Sequence, residues 1–347
     1  MPLTAAAVKA RAAELGFDLC GIAAAASYRE LVFFDEWLAR GYAGEMHYLA
    51  RSAERRRDVR QVMPSARSVI VTATSYNAPR PYSTSLADGR TARISRYAWG
   101  DDYHEVIGRR LDELIAWMRA VHPEPFEARG YVDTGPVQER VYAQHAGLGW
   151  IGKNTCLISA KRGSWFFLSA IICSLPLEPD QPATDHCGTC TRCLDACPTG
   201  ALVEPYVLDA RRCLSYLTIE LRGDIPEEFR EPASTHVYGC DICQDVCPWN
   251  RAPLVTHEAP WQPRPPLDAP AIVTLWRKED AELRADLKGS PMKRAKITGL
   301  RRNLAVALGN STDPEACAAL DEPAGEGRPS IEDPMVARHV AWARARR

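Results

Sequence analysis

The chain has 347 residues, with 43 Lys+Arg against 44 Asp+Glu, a formal net charge of −1, 46% hydrophobic and 25% charged residues. At about 150 residues per domain, this length suggests two or three domains of ordinary globular composition. The balance excludes a disordered chain, a collagen-like chain and a histone-like polycation, though a neutral total still leaves room for one basic face that binds nucleic acid.

Thr4 can cap a helix from Ala5 to Leu15 that Gly16 closes, and Phe17 to Ile22 then reads as a short buried strand. A helix from Arg29 to Arg40 is stopped by Gly41, and Arg67 to Tyr76 is β-branched enough for a strand. Asp102 to Val121 is an amphipathic helix, with Val106, Ile107, Leu111, Leu114, Ile115 and Met118 at helical spacing. Tyr131-Val132 ends an extended stretch, Pro136 opens a helix to His145, and Ser164 to Cys173 is a further strand. Strands alternating with helices predict an α/β domain over residues 1–178. A cysteine-dense domain occupies 179–260. Residues 261–347 read as a Pro-rich linker (Pro260 to Pro270) followed by paired helices of HEAT-like character.

No stretch reaches the roughly 18 apolar residues of a membrane span. The longest, Trp165 to Leu177, is interrupted by Ser169, Ser174 and Pro176. Lys9, Arg11 and Glu14 break any signal-peptide core, and no twin-arginine signal precedes the fold. The expectation is a cytoplasmic protein with no membrane partner, in which 12 cysteines serve metal or redox chemistry and not disulfides.

Cys187-x2-Cys190-x2-Cys193-x3-Cys197-Pro198 has the bacterial ferredoxin spacing, and Cys240-x2-Cys243-x3-Cys247-Pro248 repeats most of it. Short x2 loops let three thiolates cap one face of a cube, while the fourth cysteine reaches the other cluster. Cys187, Cys190, Cys193 and Cys247 are therefore expected to hold one [4Fe–4S] cluster. Cys240, Cys243, Cys197 and Cys213 are expected to hold the second, with Cys213 standing far upstream of its group. Zinc is the competing reading of paired C-x2-C, but the third cysteine and the C-P endings favour iron–sulfur. Cys20, Cys156, Cys173 and Cys317 read as small buried apolar residues.

Two clusters imply electron delivery, and a ferredoxin-like carrier would not need residues 1–178 in front of it. That domain has no P-loop. The letters Gly147 to Gly152 follow a predicted helix and enclose Trp150, so they do not read as a dinucleotide site. Asp102-Tyr103-His104 misses the D-x-H-x-x-G pattern of corrinoid proteins by one residue, at Gly108.

The chain resembles the epoxyqueuosine reductase family over nearly its whole length. The resemblance rests on Arg96-Tyr-Ala-Trp-Gly-Asp-Asp-Tyr-His104, Val132-Asp-Thr-Gly-Pro136, Glu139-Arg140, Gly147-Leu-Gly-Trp-Ile-Gly-Lys-Asn154, Arg212-Cys-Leu-Ser-Tyr-Leu-Thr-Ile-Glu220, the eight spaced cysteines and Cys247-Pro-Trp-Asn250. It implies a base-off cobalamin between the first two domains, with no protein ligand below cobalt. It also implies electrons arriving through the clusters from a low-potential donor, and reduction of the epoxide of epoxyqueuosine at the tRNA wobble position by two electrons and two protons. The family's proton donor maps to Asp133, and burial beside a flat apolar corrin is expected to raise its pKa. The bland alternative is that Asp133 caps the helix after Pro136. Arg56 is the implied cobalamin contact by register, with Arg55 and Arg57 as alternatives. Tyr97, Lys153, Asn154, Ser215 and Asp241 are further candidates around the cofactor. Lys293, Arg294, Lys296, Arg301 and Arg302 are placed to track tRNA phosphates. The family suggests a monomer.

Two other functions compete with this one. A corrinoid iron–sulfur reductase of a small molecule, such as a dehalogenase, would not depend on tRNA. A ferredoxin-like electron carrier would bind no corrinoid and would tolerate loss of Asp133.

Overall fold

The structure is a computed structural model that describes residues 3–86 and 88–346; residues 1, 2, 87 and 347 of the expected domains lie outside it. Four strands form the first sheet: β1 (Leu19–Ala24), β2 (Ser68–Ser75), β3 (Ala128–Tyr131) and β4 (Phe166–Cys173), in the order β1-β2-β4-β3. Every neighbouring pair is antiparallel. The strand positions match the expected ones to within a few residues, and the antiparallel sheet with helices on both faces is of the mixed α+β/α/β kind. Alternation of strands and helices along a chain does not encode strand direction.

β2 is buried at all eight positions, which its Val, Ile and Thr residues allow on both faces. Ile22, Ile70 and Ile171 point to one side, where α1 (Ala5–Glu14) and α3 (Tyr103–Val121) contribute Val8, Ala12, Leu111 and Leu114. Ala23, Val69, Val71 and Ile172 point to the other, against Leu31 of α2 (Arg29–Ala39) and Val141 and Tyr142 of α4 (Glu139–His145). The period of two thus sorts one strand between two cores. Thr4 accepts a hydrogen bond from the Ala7 N–H, and Asp102 caps α3. Pro136 does not open a helix; α4 begins three residues later, at Glu139.

The remaining boundaries differ from the linear ones. His236–Tyr238 pairs in parallel with Arg93–Ile94, so a strip of the first domain joins the core of the third. The Pro-rich stretch is no free linker: Trp261 is buried against Phe167 and Leu267 enters the helical core. Residues 275–287, expected as one helix, form two, Ile272–Arg277 and Asp280–Asp286, and Glu279 with Glu282 makes a capping box at the second. Beyond them α5 (Lys296–Asn310) packs on α6 (Pro334–Ala345), with the unexpected helix Pro314–Asp321 alongside.

α5 carries the clearest departure from expectation. Arg301 and Arg302 are 0% and 1% exposed, and neither can reach a phosphate. Arg301 meets Asp280 at 3.0 Å and donates to the Trp276 and Lys278 carbonyls. Arg302 donates to the carbonyls of Leu217 (2.6 Å), Leu221 (2.9 Å) and Gly223 (2.6 Å), and burial pulls its pKa down to about 10. A basic sequence run carries no information about which side of a helix is solvated. Arg301→Met would strand the Asp280 carboxylate, and urea denaturation is expected to show a loss of about 3 kcal/mol or more.

Candidate functional site

The eight spaced cysteines assemble as two groups. Cys193 is placed beside Cys247 and Cys187, and Cys247 beside Cys187 and Cys190. Cys240 is placed beside Cys213 and Cys197, and Cys243 beside Cys240 and Cys213. The helical turns Arg192–Asp195 and Ile242–Asp245 follow each x2 loop and return the chain to its partner group. Burial pushes the Cys193 thiol up to about 11, with Cys247 adding to it, and burial with neighbouring thiols also pushes Cys240 up. Partly buried thiols converging in two groups suit a cationic inorganic centre, which would stabilise their thiolates. The two donor sets have the number and spacing of cysteines that [4Fe–4S] clusters require.

A second feature lies at the end of β3. Asp133 has φ +57°, a conformation an aspartate tolerates better than most residues. The turn is tight: Thr134 N–H reaches the Val132 carbonyl at 2.5 Å, and a Cβ at Gly135 would sit 2.2 Å from the Tyr131 ring. Tyr103 Oη donates to Asp133 Oδ2 at 2.6 Å. His104 Nε2 stands 3.6 Å from the same oxygen, a charge contact, while its Nδ1 meets Asp102 Oδ1 at 2.7 Å. Tyr103 is itself clamped between His104 (4.0 Å) and Phe167 (4.4 Å).

These contacts set the proton inventory. Burial would lower the His104 pKa, but Asp102 and Asp133 outweigh it and raise it to about 9. Burial of Asp102 is likewise outweighed by His104 and Lys293, which hold its carboxyl well below the usual range. Asp133 opens toward solvent, with 65% of its side chain exposed. Crowding around its carboxyl raises the pKa, yet His104, Tyr103 and Arg140 outweigh that and leave it below its ordinary value. The flanking imidazolium is the contact that an argument from burial alone leaves out. Glu139 goes the other way: burial, then the Asp133 charge, push it up to about 8.

The expected site residues divide into those that open on this pocket and those tied into scaffold bonds. Arg56 is turned inward, donating to Ser52 Oγ (2.9 Å) and the Val137 carbonyl (3.4 Å) and feeling Glu139. Arg55 is exposed and Arg57 pairs with Asp35. Tyr97 lies 6.1 Å from the Tyr103 ring, and its neighbours Ser95 and Arg96 bind the Asp241 carboxylate between Cys240 and Cys243. Asp241 is 6% exposed, so it braces the second thiol group against the first domain. Lys153 donates to the carbonyls of Gly188 (2.6 Å) and Cys190 (3.1 Å), and Asn154 to that of Cys243 (3.2 Å). Ser215 lies against the Cys213 thiol. Cys156, read from sequence as filler, bonds Gln244 at 3.1 Å and abuts Cys243. Lys293 pairs with Asp102 (2.7 Å), Arg294 with Glu220 (2.8 Å), and Lys296 is exposed. Tyr103, His104 and Glu139 were missed as site residues, although each stands inside a motif of the resemblance.

Fold and site define a double-cluster iron–sulfur protein with an acid–imidazole pocket beside the buried cluster set. A family model described as "4Fe-4S double cluster binding domain" matches residues 186–250, and one described as "Epoxyqueuosine reductase QueG, DUF1730" matches residues 56–134. An epoxyqueuosine reductase of Gloeobacter violaceus is 48% identical over 320 residues, covering 90% of this chain and 98% of its own. That of Escherichia coli K12 is 39% identical over 332 residues, covering 95% and 86%. A crystal structure of epoxyqueuosine reductase with an epoxyqueuosine-modified tRNA-Tyr stem loop superposes with TM-score 0.87 at 30% identity, covering 98% of this chain and 88% of that one. The chain belongs to the epoxyqueuosine reductase family.

Two outcomes follow from this geometry. Replacing Cys187 or Cys240 by Ser is expected to cost one cluster each, so iron retained after anaerobic reconstitution falls by about half in either variant and further in the double. His104 has a folded pKa above its ordinary 6.5. Its ion-pair stabilisation is therefore complete below that value and lost as pH rises through about 9. The stability gap between wild type and His104→Gln, measured by urea denaturation, is expected to be largest near pH 6 and to close toward pH 10.

Proposed function

We propose that this chain reduces the epoxide of epoxyqueuosine in a tRNA anticodon to the alkene of queuosine, taking up two electrons and two protons and releasing water. The observation that carries this reading is the Asp133 turn, whose carboxylate faces Tyr103 and His104 and opens toward solvent. The pocket also fits the cobalamin that the resemblance implies. His104 Nε2 and Glu139 Oε1 are buried without a hydrogen-bond partner, and an amide-bearing guest would satisfy such atoms. Arg56, Tyr97, Asp133 and Ser215 would hold the group, which supplies a low-potential two-electron reductant when bound.

The chain's own residues do the proton work. His104 stores a proton at neutral pH, Asp133 receives it and presents it to the leaving oxygen, and Tyr103 fixes the carboxylate in place. Two protons are consumed per turnover, so the pair must be recharged from solvent, to which Asp133 is open. Electrons enter at the Cys187–Cys193 loop, the more exposed thiol group, from a low-potential donor, and pass through the buried group beside the pocket. The RNA lies across Arg294 and Lys296. Arg51, Arg55 and Tyr48 complete the rim from the other side, since Tyr48 feels Asp133, Arg56 and Arg294. No helix among the described residues is long and apolar enough to cross a membrane. A reducing cytoplasm and a monomeric enzyme complete the reading.

The test is an anaerobic assay of the chain reconstituted with iron, sulfide and cobalamin, given a strong reductant and an epoxyqueuosine stem loop that is then digested for mass analysis. Loss of one oxygen supports the reading, and its persistence with bound corrinoid and intact clusters overturns it. Asp133→Asn is expected to lower the single-turnover rate by about 10²- to 10⁴-fold with the clusters intact.

A further inference from the structure

Lys293 belongs to the helical region, on the short turn Pro291–Ala295 that leads into α5. Its ammonium lies 2.7 Å from Asp102 Oδ2 and 3.9 Å from Glu105 Oε1. The other oxygen of the same carboxylate binds His104 Nδ1. The Asp102 side chain is 3% exposed, while the Lys293 side chain that meets it is 57% exposed. The start of the turn is fixed by two bonds: Asp102 N–H donates to the Gly289 carbonyl at 2.8 Å, and Tyr238 Oη donates to that of Pro291 at 2.8 Å. Lys296, three residues on, carries no such pairing among the described residues.

We propose that Lys293 is a positioning residue for proton delivery: by taking one oxygen of Asp102 it limits how tightly that carboxylate holds the His104 proton, and it keeps the imidazole aimed at Asp133. The inference rests on the reading of His104 and Asp133 as the proton source. It assigns Lys293 a role distinct from phosphate tracking. The groups that face His104 are Asp102 and Tyr103 beside it in sequence and Asp133 from the turn after β3. Lys293 and Glu105 act through or beside Asp102, and Arg140 and Glu139 act on Asp133.

Removing the ammonium leaves Asp102 with a single cationic partner. The imidazolium then binds its proton more tightly and yields it more slowly. In Lys293→Met the His104 ring titration, followed by NMR in histidine-labelled full-length chain and assigned with His104→Gln, is expected to move up by about one unit. In the reconstituted enzyme at saturating stem loop, the single-turnover plateau is expected to fall about threefold to tenfold while the alkaline limb of the pH profile moves up with the titration. Lys293→Arg, which keeps the charge, is expected to restore both. An unmoved His104 titration overturns the proposal, as does a loss confined to stem-loop affinity, which would make Lys293 a phosphate contact. The proton-source reading fails separately, if His104→Gln keeps the wild-type pH profile; the NMR arm still decides whether Lys293 sets the charge on Asp102.

Discussion

A carboxylate sealed from water costs several kcal/mol unless cations and donors meet it at close range. Asp102 is such a group, and the way its charge is met ties three parts of the molecule together. It caps α3, grips His104 from the same turn, and receives Lys293 from the helical region. The cap fixes where α3 begins and so where Tyr103 and His104 point. The lysine adds one ion pair to the contacts by which the helical region meets the first domain.

The same logic recurs around the clusters. Asp241 lies between two ligands and is almost fully buried, and its oxygens are taken by Ser95 and by the Arg96 N–H. Arg96 in turn is buried over Trp99, with its guanidinium on the Ala78, Arg80 and Pro81 carbonyls. Asn250, after the last ligand, is 0% exposed and braces the Gln244 carbonyl and Ser164. Each polar group is satisfied by a different segment, so the cluster loops cannot shift without leaving a buried donor unpaired. Rigid placement of this kind is what electron transfer into a neighbouring pocket needs.

The acid–base division in the pocket is equally a product of packing. Two carboxyls six residues apart would titrate alike in water, yet Asp133 is held down by an imidazolium and Glu139 is pushed up to about 8 by burial. Environments that drive such groups apart are how one site keeps both a base and an acid at neutral pH. The raised pKa belongs to His104, whose Nε2 stands 3.6 Å from the Asp133 carboxylate.

Local pattern determined the helices, the strands and the chemistry of the cysteines, because hydrophobic period and ligand spacing are short-range properties. The spacing of the cysteines points to a double-cluster domain, since a cube imposes its own geometry on x2 and x3 loops. Tertiary structure decided what spacing does not carry. Strand direction in the sheet depends on long connections. The fate of each cation depends on which side of α5 or of its turn meets the core: Arg301 and Arg302 read as RNA contacts and are structural, while Lys293 is drawn to a buried carboxylate. The direction of the Asp133 shift depends on His104, 29 residues earlier, meeting it across the fold. Charge and burial are sums over neighbours, and neighbours are known only once the chain has closed on itself.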